Sequence, residues 1–314
     1  MKIAVLNKYI YDLIKQLGQA GSVVAVSSDC NIEREGNIPR FVTDPTAVSK
    51  PKDLVLSEYL SEEILDLDAL RDSAPDIVLA APHEDVDLKD GTLGGVVNVS
   101  EVETRLREAL NNPKVRLVCY RPKTLDQIYR AIQGVGEAIK VAPLAREKVN
   151  KLRAQVMDWG DNFYERTKSK RVTFISSVSP LKLAGRWIPD LISLCSSTSQ
   201  VRVAGLEDED VDWRDILDFK PDVIVVAPSG CNAQESARTF KVLERFPGWE
   251  NVPAVVRGEV VFCDGNGLFY HPYQGLIDSM SILVSAIAGL EPGYISPRES
   301  FHRLRWLELH RHRL

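Results

Sequence analysis

Cysteine is scarce in this chain, with five among 314 residues, at Cys30, Cys119, Cys195, Cys231 and Cys263. They are odd in number, far apart and make no Cys-x-x-Cys pair, which argues against a disulfide framework and against a structural zinc site. Long apolar runs are missing as well. No window reaches the ~18 consecutive apolar residues of a membrane-spanning helix, so no membrane insertion is expected. The N-terminal MKIAVLNKYI carries Lys2 and then a short strand-like run, without a small-residue cleavage site. It does not read as a secretory signal, and the expected compartment is the cytoplasm, or the periplasm or cell surface if a signal has been removed. Basic residues are not in excess: the net charge is −5 and the pI near 5.7. Nucleic acid is therefore not an expected partner.

Catalytic signatures are absent too. There is no Gly-x-Ser-x-Gly elbow, no P-loop and no dinucleotide glycine fingerprint. Cys30 and Cys231 lack an evident His and acid partner in sequence, and DGNG at 264–267 is turn chemistry. The chain is expected to bind rather than to catalyse. Histidine is also sparse, with three of five in the tail (His302, His310, His312). PHEDVD at 82–87 offers His83, Glu84, Asp85 and Asp87, but such acidic loops after strands are ordinarily solvated. A transition-metal site from His83 and His271 would need carboxylates to complete it, and no metal ligands are assigned.

What is present is an alternation of strands and helices at 44% hydrophobic and 26% charged content, the pattern of parallel α/β architecture. KIAVL, SVVAVS, PDIVLAAP and VRLVCYRP read as strands of a first half; YIYDLIKQLGQ, ILDLDALRDSA and TLDQIYRAIQGVGEAI read as its helices. A helical stretch near 142–168 follows, with Leu144, Val149, Leu152, Val156, Trp159 and Phe163 as one apolar stripe. RVTFISSV, QVRVAGL, PDVIVVAPSG and VVFCD then read as strands of a second half. PDIVLAAP (75–82) and PDVIVVAP (221–228) are near copies, which suggests equivalent strands in two related lobes. The expected organisation is an N-terminal α/β lobe over 1–141, an interlobe helix over 142–168, a C-terminal α/β lobe over 169–292 and a basic tail over 293–314. In the tail, Phe301, Leu304, Leu307 and Trp306 are expected on one face of a terminal helix docked on the second lobe.

Directly after RVTFISSV stands SPLKLAGRWIPDLISLC, Ser179 to Cys195. This stretch resembles a signature of the cobalamin-binding, substrate-binding-protein-like family, relatives of the ABC-importer receptors for cobalamin, haem and ferric siderophores. That family often has Ala-Gly-His-Trp-(Val/Ile)-Pro-Glu where this chain has Ala-Gly-Arg-Trp-Ile-Pro-Asp. LIKQLGQAGSVVAVSSDCN, RPKTLDQIYRAIQGVGEAI, PDVIVVAPSGCNAQES and PAVVRGEVVFCDGNGLFYHP agree in order, so that the resemblance spans roughly residues 1 to 292.

The resemblance implies two Rossmann-like lobes joined by one long interdomain helix, with a ligand cleft between the lobes. It places at that cleft Lys8, Tyr9, Asp29, Cys30 and His83 from the first lobe. From the second come Lys182, Arg186, Trp187, Cys231, Asn232, Phe269, Tyr270, His271 and Tyr273. The implied activity is non-enzymatic binding of cobalamin or a related corrinoid, in an intracellular carrier or handling role. Haem or a ferric siderophore is the alternative ligand, and a metal-dependent chelatase-like enzyme the second alternative. An ABC importer is an implied partner only if the chain is exported. Aromatic plates would meet a macrocycle, while Lys, Arg and Asn meet its polar edge. Tyr270, His271 or Cys231 would be the candidate axial ligands of a haem. Trp187 is expected partly exposed beside Arg186; the competing expectation is a Trp187 that plugs the start of its helix against the sheet.

Overall fold

Short runs of fully buried, mostly β-branched residues, such as Ile-Ala-Val and Val-Ile-Val-Val, make the strands. Such runs suit parallel sheets covered on both faces. The computed structural model describes residues 1–28, 30, 40–41, 65–81, 100–273 and 275–304. The chain divides into two units, one of Met1–Pro122 with Asp126–Val149, the other of Lys123–Leu125 with Asn150–Leu314.

The first unit holds strands β1 (Ile3–Val5), β2 (Val23–Val26), β3 (Arg40–Phe41), β4 (Ile77–Ala80) and β5 (Arg116–Cys119). They form one parallel sheet of order β3-β2-β1-β4-β5. Its helices are α1 (Lys8–Gln16), α2 (Leu67–Ser73), α3 (Ser100–Ala109) and α4 (Leu125–Ala138). α1 starts where Asn7 ends β1: the Asn7 side chain accepts from the Tyr9 and Ile10 amides, satisfying two of the helix's orphan donors. Ile10, Leu13 and Ile14 are then buried on one face.

Helix α5 (Ala142–Asn162) runs from the first unit into the second, and a one-turn helix α6 (Tyr164–Thr167) follows a break at Phe163. Its buried stripe is Ala145, Val149, Leu152 and Val156, spaced four, three and four. Leu144, expected on that stripe, is 48% exposed, because a five-residue step to Val149 carries it off the face. Gly160 lies so close to the Leu194 carbonyl that any Cβ there would collide with it.

The second unit contains β6 (Arg171–Val178), β7 (Leu181–Leu183), β8 (Thr198–Ser199), β9 (Glu209–Asp210), β10 (Val223–Val226), β11 (Val260–Cys263) and β12 (Phe301–Arg303). The order is β12-β11-β10-β6-β7-β9, with β8 pairing with β6. Between them lie α7 (Ile188–Leu194), α8 (Trp213–Phe219), α9 (Ala233–Arg238), α10 (Phe240–Leu243), α11 (Pro253–Val256) and α12 (Leu276–Ala288). The parallel strands β8-β6-β10-β11 repeat the order β2-β1-β4-β5 of the first unit. QVRVAGL does not form the strand expected of it. Pairing stops at Ser199, and Val203 and Leu206 are 58% and 59% exposed, so this segment has no buried face to hold it in a sheet.

The near-identical Pro-Asp segments occupy matching places. Each follows a helix ended by a left-handed residue, Ala74 (φ 46°) or Lys220 (φ 52°). In each, the aspartate bonds the residue beside the unit's first strand through both its groups. The Asp76 amide donates to the Lys2 carbonyl at 2.8 Å, and the Lys2 amide donates to the Asp76 carboxylate at 2.7 Å. The Asp222 amide donates to the Arg171 carbonyl at 2.8 Å, and the Arg171 amide donates to the Asp222 carboxylate at 3.0 Å.

The expected terminal helix is a strand over Phe301–Arg303, antiparallel to β11. Phe301 and Arg303 alternate inward around His302, a period of two rather than 3.6. Buried Arg303 bonds Glu259 at 2.6 Å and the carbonyls of Ser285, Ala286 and Leu290 around the end of α12. Trp306 and Leu307 lie outside the described residues.

Candidate ligand site at the strand ends

In open parallel sheets the loops after the strand C-termini carry ligands, at the point where strand order reverses. In the first unit that point lies between β1 and β4. Lys8 and Tyr9 open α1 there, both half-buried, and Lys8 pairs with Asp12 at 2.8 Å. Beside them the Ser27 amide donates to the Val5 carbonyl, and Cys30 is buried with its Sγ 3.4 Å from the Ser27 hydroxyl. Asp29 and His83, with the PHEDVD loop, lie outside the described residues.

The second unit brings most of the expected residues to the ends of β6, β10 and β11. The loops after β10 and β11 are laced together: the Gly265 amide donates to the Cys231 carbonyl, and the Gly230 amide to the Gly265 carbonyl. Gly265 leaves no room for a Cβ against the Pro228 carbonyl. The Asp264 side chain accepts from the Asn266 amide, the turn chemistry expected of DGNG. Asn232 caps α9 in a reciprocal box with Glu235, so its side chain is engaged in ending the loop. Half-buried Tyr270 donates its hydroxyl to the Ala227 carbonyl. Burial first, and then the Asp208 carboxylate, push its pKa far above the usual tyrosine value, against the Arg186 cation. Partial burial, then Glu235, likewise raises the Cys231 thiol. His271 packs its ring on Gly267, where a Cβ would meet the ring at 2.6 Å.

The aromatic plates are largely inside. Trp187 is 2% exposed, Phe269 1% and Tyr273 3%. Phe269 meets Phe174 of β6 edge-on at 4.9 Å. Trp187 starts α7 ahead of Pro189, and its Nε1–H finds no acceptor among the described residues. The partial exposure expected of Trp187 is therefore not found; its indole fills space behind the turn. Lys182, on β7, pairs with Asp210 of β9 at 3.3 Å.

Arg186 stands differently. Its backbone is left-handed (φ 49°), its amide donates to the Leu206 carbonyl, and its carbonyl accepts from Gly205. Gly185 donates to the Asp208 side chain and sits against the Leu206 and Glu207 carbonyls, too close for any side chain. The Arg186 guanidinium, one-third exposed, bonds Glu207 at 2.9 Å through both Nε and Nη2. The other Glu207 oxygen lies 3.2 Å from Lys123. The segment 203–208 was missing from the expected site. The glycine of Ala-Gly-Arg-Trp signalled a close backbone approach, but which segment approaches it is a long-range fact.

The sequence pattern of the periplasmic binding protein family matches residues 3–266. The chain belongs to this family. Solved structures carry the same fold at low identity. A possible iron-binding (periplasmic solute-binding) protein from Staphylococcus epidermidis is 16% identical with a TM-score of 0.67, over 91% of this chain and 98% of that one. The periplasmic vitamin B12 binding protein BtuF of Vibrio cholerae is 14% identical with a TM-score of 0.58, over 91% and 96%. Staphylococcus aureus IsdE, solved with haem, is 14% identical with a TM-score of 0.61, over 91% and 99%. No curated protein matches. Among the described residues, no helix is long and apolar enough to cross a membrane, and no group of three or more His, Cys, Asp and Glu could hold a metal ion.

Proposed function

We propose that this periplasmic binding protein is a non-enzymatic carrier of a corrinoid, held by the loops at the strand ends and passed to an ABC importer or another corrinoid-handling partner. The family supports solute binding, and its solved relatives include proteins described with vitamin B12, haem and iron, which leaves the choice to the residues. The observation that carries the corrinoid reading is the state of the candidate axial donors. The Tyr270 hydroxyl is tied to a backbone carbonyl and held protonated by burial, and the Cys231 thiol is raised. Neither is poised as the anionic donor that a haem iron would draw on, and the third candidate, His271, lays its ring against Gly267, whereas a corrinoid with both axial positions already filled asks for polar contacts at its edge.

Absorbance titration of the purified protein with cyanocobalamin, dicyanocobinamide and haem tests this. Saturable one-to-one binding of a corrinoid is expected. Saturable haem binding with the bands of Tyr or His ligation, and no corrinoid response, would overturn it in favour of the haem reading and point to His271 or a released Tyr270.

A further inference from the structure

Arg186 holds a backbone conformation that glycine or asparagine adopts far more readily. The turn does not need its side chain. The bonds of Arg186 to Leu206 and Gly205, and of Gly185 to Asp208, all use backbone groups of the Gly-Arg pair. A charged residue at a strained, already clamped position points to a use for the charge. Its guanidinium is reachable, at 33% exposure, and Val203 and Leu206 present apolar side chains to solvent on the segment that clamps it.

Resting on the ligand-binding reading above, we infer that Glu207 is an internal stand-in for an oxyanion of the ligand: on binding, Arg186 exchanges Glu207 for that group, and Glu207 falls back on Lys123. The geometry makes the exchange easy. One Glu207 oxygen takes both guanidinium N–H groups, while the other already faces the Lys123 ammonium. The displaced carboxylate therefore keeps a cation beside it. Exposed ion pairs are weak and solvent-screened, so an oxyanion brought in by a ligand with other contacts replaces Glu207 readily. Arginine's planar fork suits both a phosphodiester and a carboxylate. The chemistry thus selects a ligand with an anionic edge next to an apolar surface, and the phosphodiester of a complete corrinoid and the carboxylates of a haem are its two sources.

Three probes separate these sources: cyanocobalamin carries the phosphodiester, dicyanocobinamide lacks it, and haem carries carboxylates. Glu207→Gln is expected to tighten cyanocobalamin roughly threefold to tenfold and to leave dicyanocobinamide within about twofold. Arg186→Gln weakens cyanocobalamin about tenfold or more and erases the Glu207→Gln gain in the double variant. The same pattern with haem in place of cyanocobalamin assigns the carboxylate source. Unchanged or weaker binding of both anionic probes by Glu207→Gln overturns the inference, since Glu207 would then position Arg186 rather than compete for it. A wild-type protein that takes none of the three sinks the ligand assignment alone. The exchange is then read with inorganic phosphate, through the ¹⁵N signal of the Arg186 Nε–H. Phosphate should move that signal at lower concentration in Glu207→Gln than in the wild type, and the absence of any response in Glu207→Gln overturns the exchange.

Discussion

Replacing Trp187 separates a packing role from a ligand-facing one. The indole is 2% exposed, and removing a buried aromatic of this size to alanine costs about 3–5 kcal/mol through lost transfer energy and the cavity left behind. With a urea slope of roughly 2–3 kcal/mol per molar, that moves the unfolding midpoint down by about 1–2.5 M. Trp187→Phe behaves differently. It vacates part of the same space but also removes an Nε1–H that is buried without an acceptor among the described residues. An unsatisfied buried donor costs about 1–3 kcal/mol, so the two effects offset and the net change should stay within about 1–1.5 kcal/mol. The assay is urea unfolding followed by far-ultraviolet circular dichroism, with the cyanocobalamin titration run on each variant. A Trp187→Phe as damaging as Trp187→Ala would show that the indole N–H is satisfied in the folded protein. A Trp187→Ala with an unmoved midpoint and lost binding would show that the indole faces the ligand, and the packing account would be wrong.

Two further perturbations test the frame around the site. Arg303→Met takes the buried cation from Glu259 and releases the carbonyls of Ser285, Ala286 and Leu290, and losing this buried, hydrogen-bonded arginine costs about 3–5 kcal/mol; a thermal or urea midpoint equal to wild type refutes the clamp. Asp222→Asn tests the Pro-Asp device through pH. Burial raises the pKa of Asp222, but hydrogen bonds from Arg171 and Arg257 outweigh it and hold the group below its ordinary 3.8. A depressed carboxylate stabilises the fold above its unfolded value, and that stability is lost as pH falls through the folded value. Asp222→Asn should therefore be less stable than wild type at pH 7, with the gap closing below about pH 4 as the wild-type carboxylate protonates. A gap that stays constant from pH 7 to pH 3 contradicts the assignment.

The parallel strands were legible because their residues are buried on both faces, which leaves continuous apolar runs such as those at 77–80, 223–226 and 260–263. The strand at 301–303 was not. Its inward residue is a charged arginine whose acceptors, Glu259 and the end of α12, lie far away in sequence. The site was legible as loops rather than as side chains. Residue types drew attention to Trp187, Phe269 and Tyr273, but aromatic character does not say whether a ring faces outward, and packing took all three. Glu207 and Leu206 were invisible for the opposite reason. Glu207 opens an acidic run, 207–212, with the composition of a solvated face, Leu206 directly precedes it, and both gain meaning only from the closeness of Gly185.

The paired aspartates at 76 and 222 bear on how freely each unit can be elaborated. Each fastens the chain back to the edge of its first strand, after excursions of 74 and 51 residues. Loop-closure entropy grows only with the logarithm of length, so these excursions differ in cost by about 0.3 kcal/mol. The fastening point holds the strand register together with the ladders themselves, Ile3–Val5 against Ile77–Leu79 and Val172–Ile175 against Val223–Val226. Chain can be inserted or trimmed in the connections between the elements of the excursion while the first strand and the strand after Pro-Asp keep their alignment, and with it the position of the loops at their far ends.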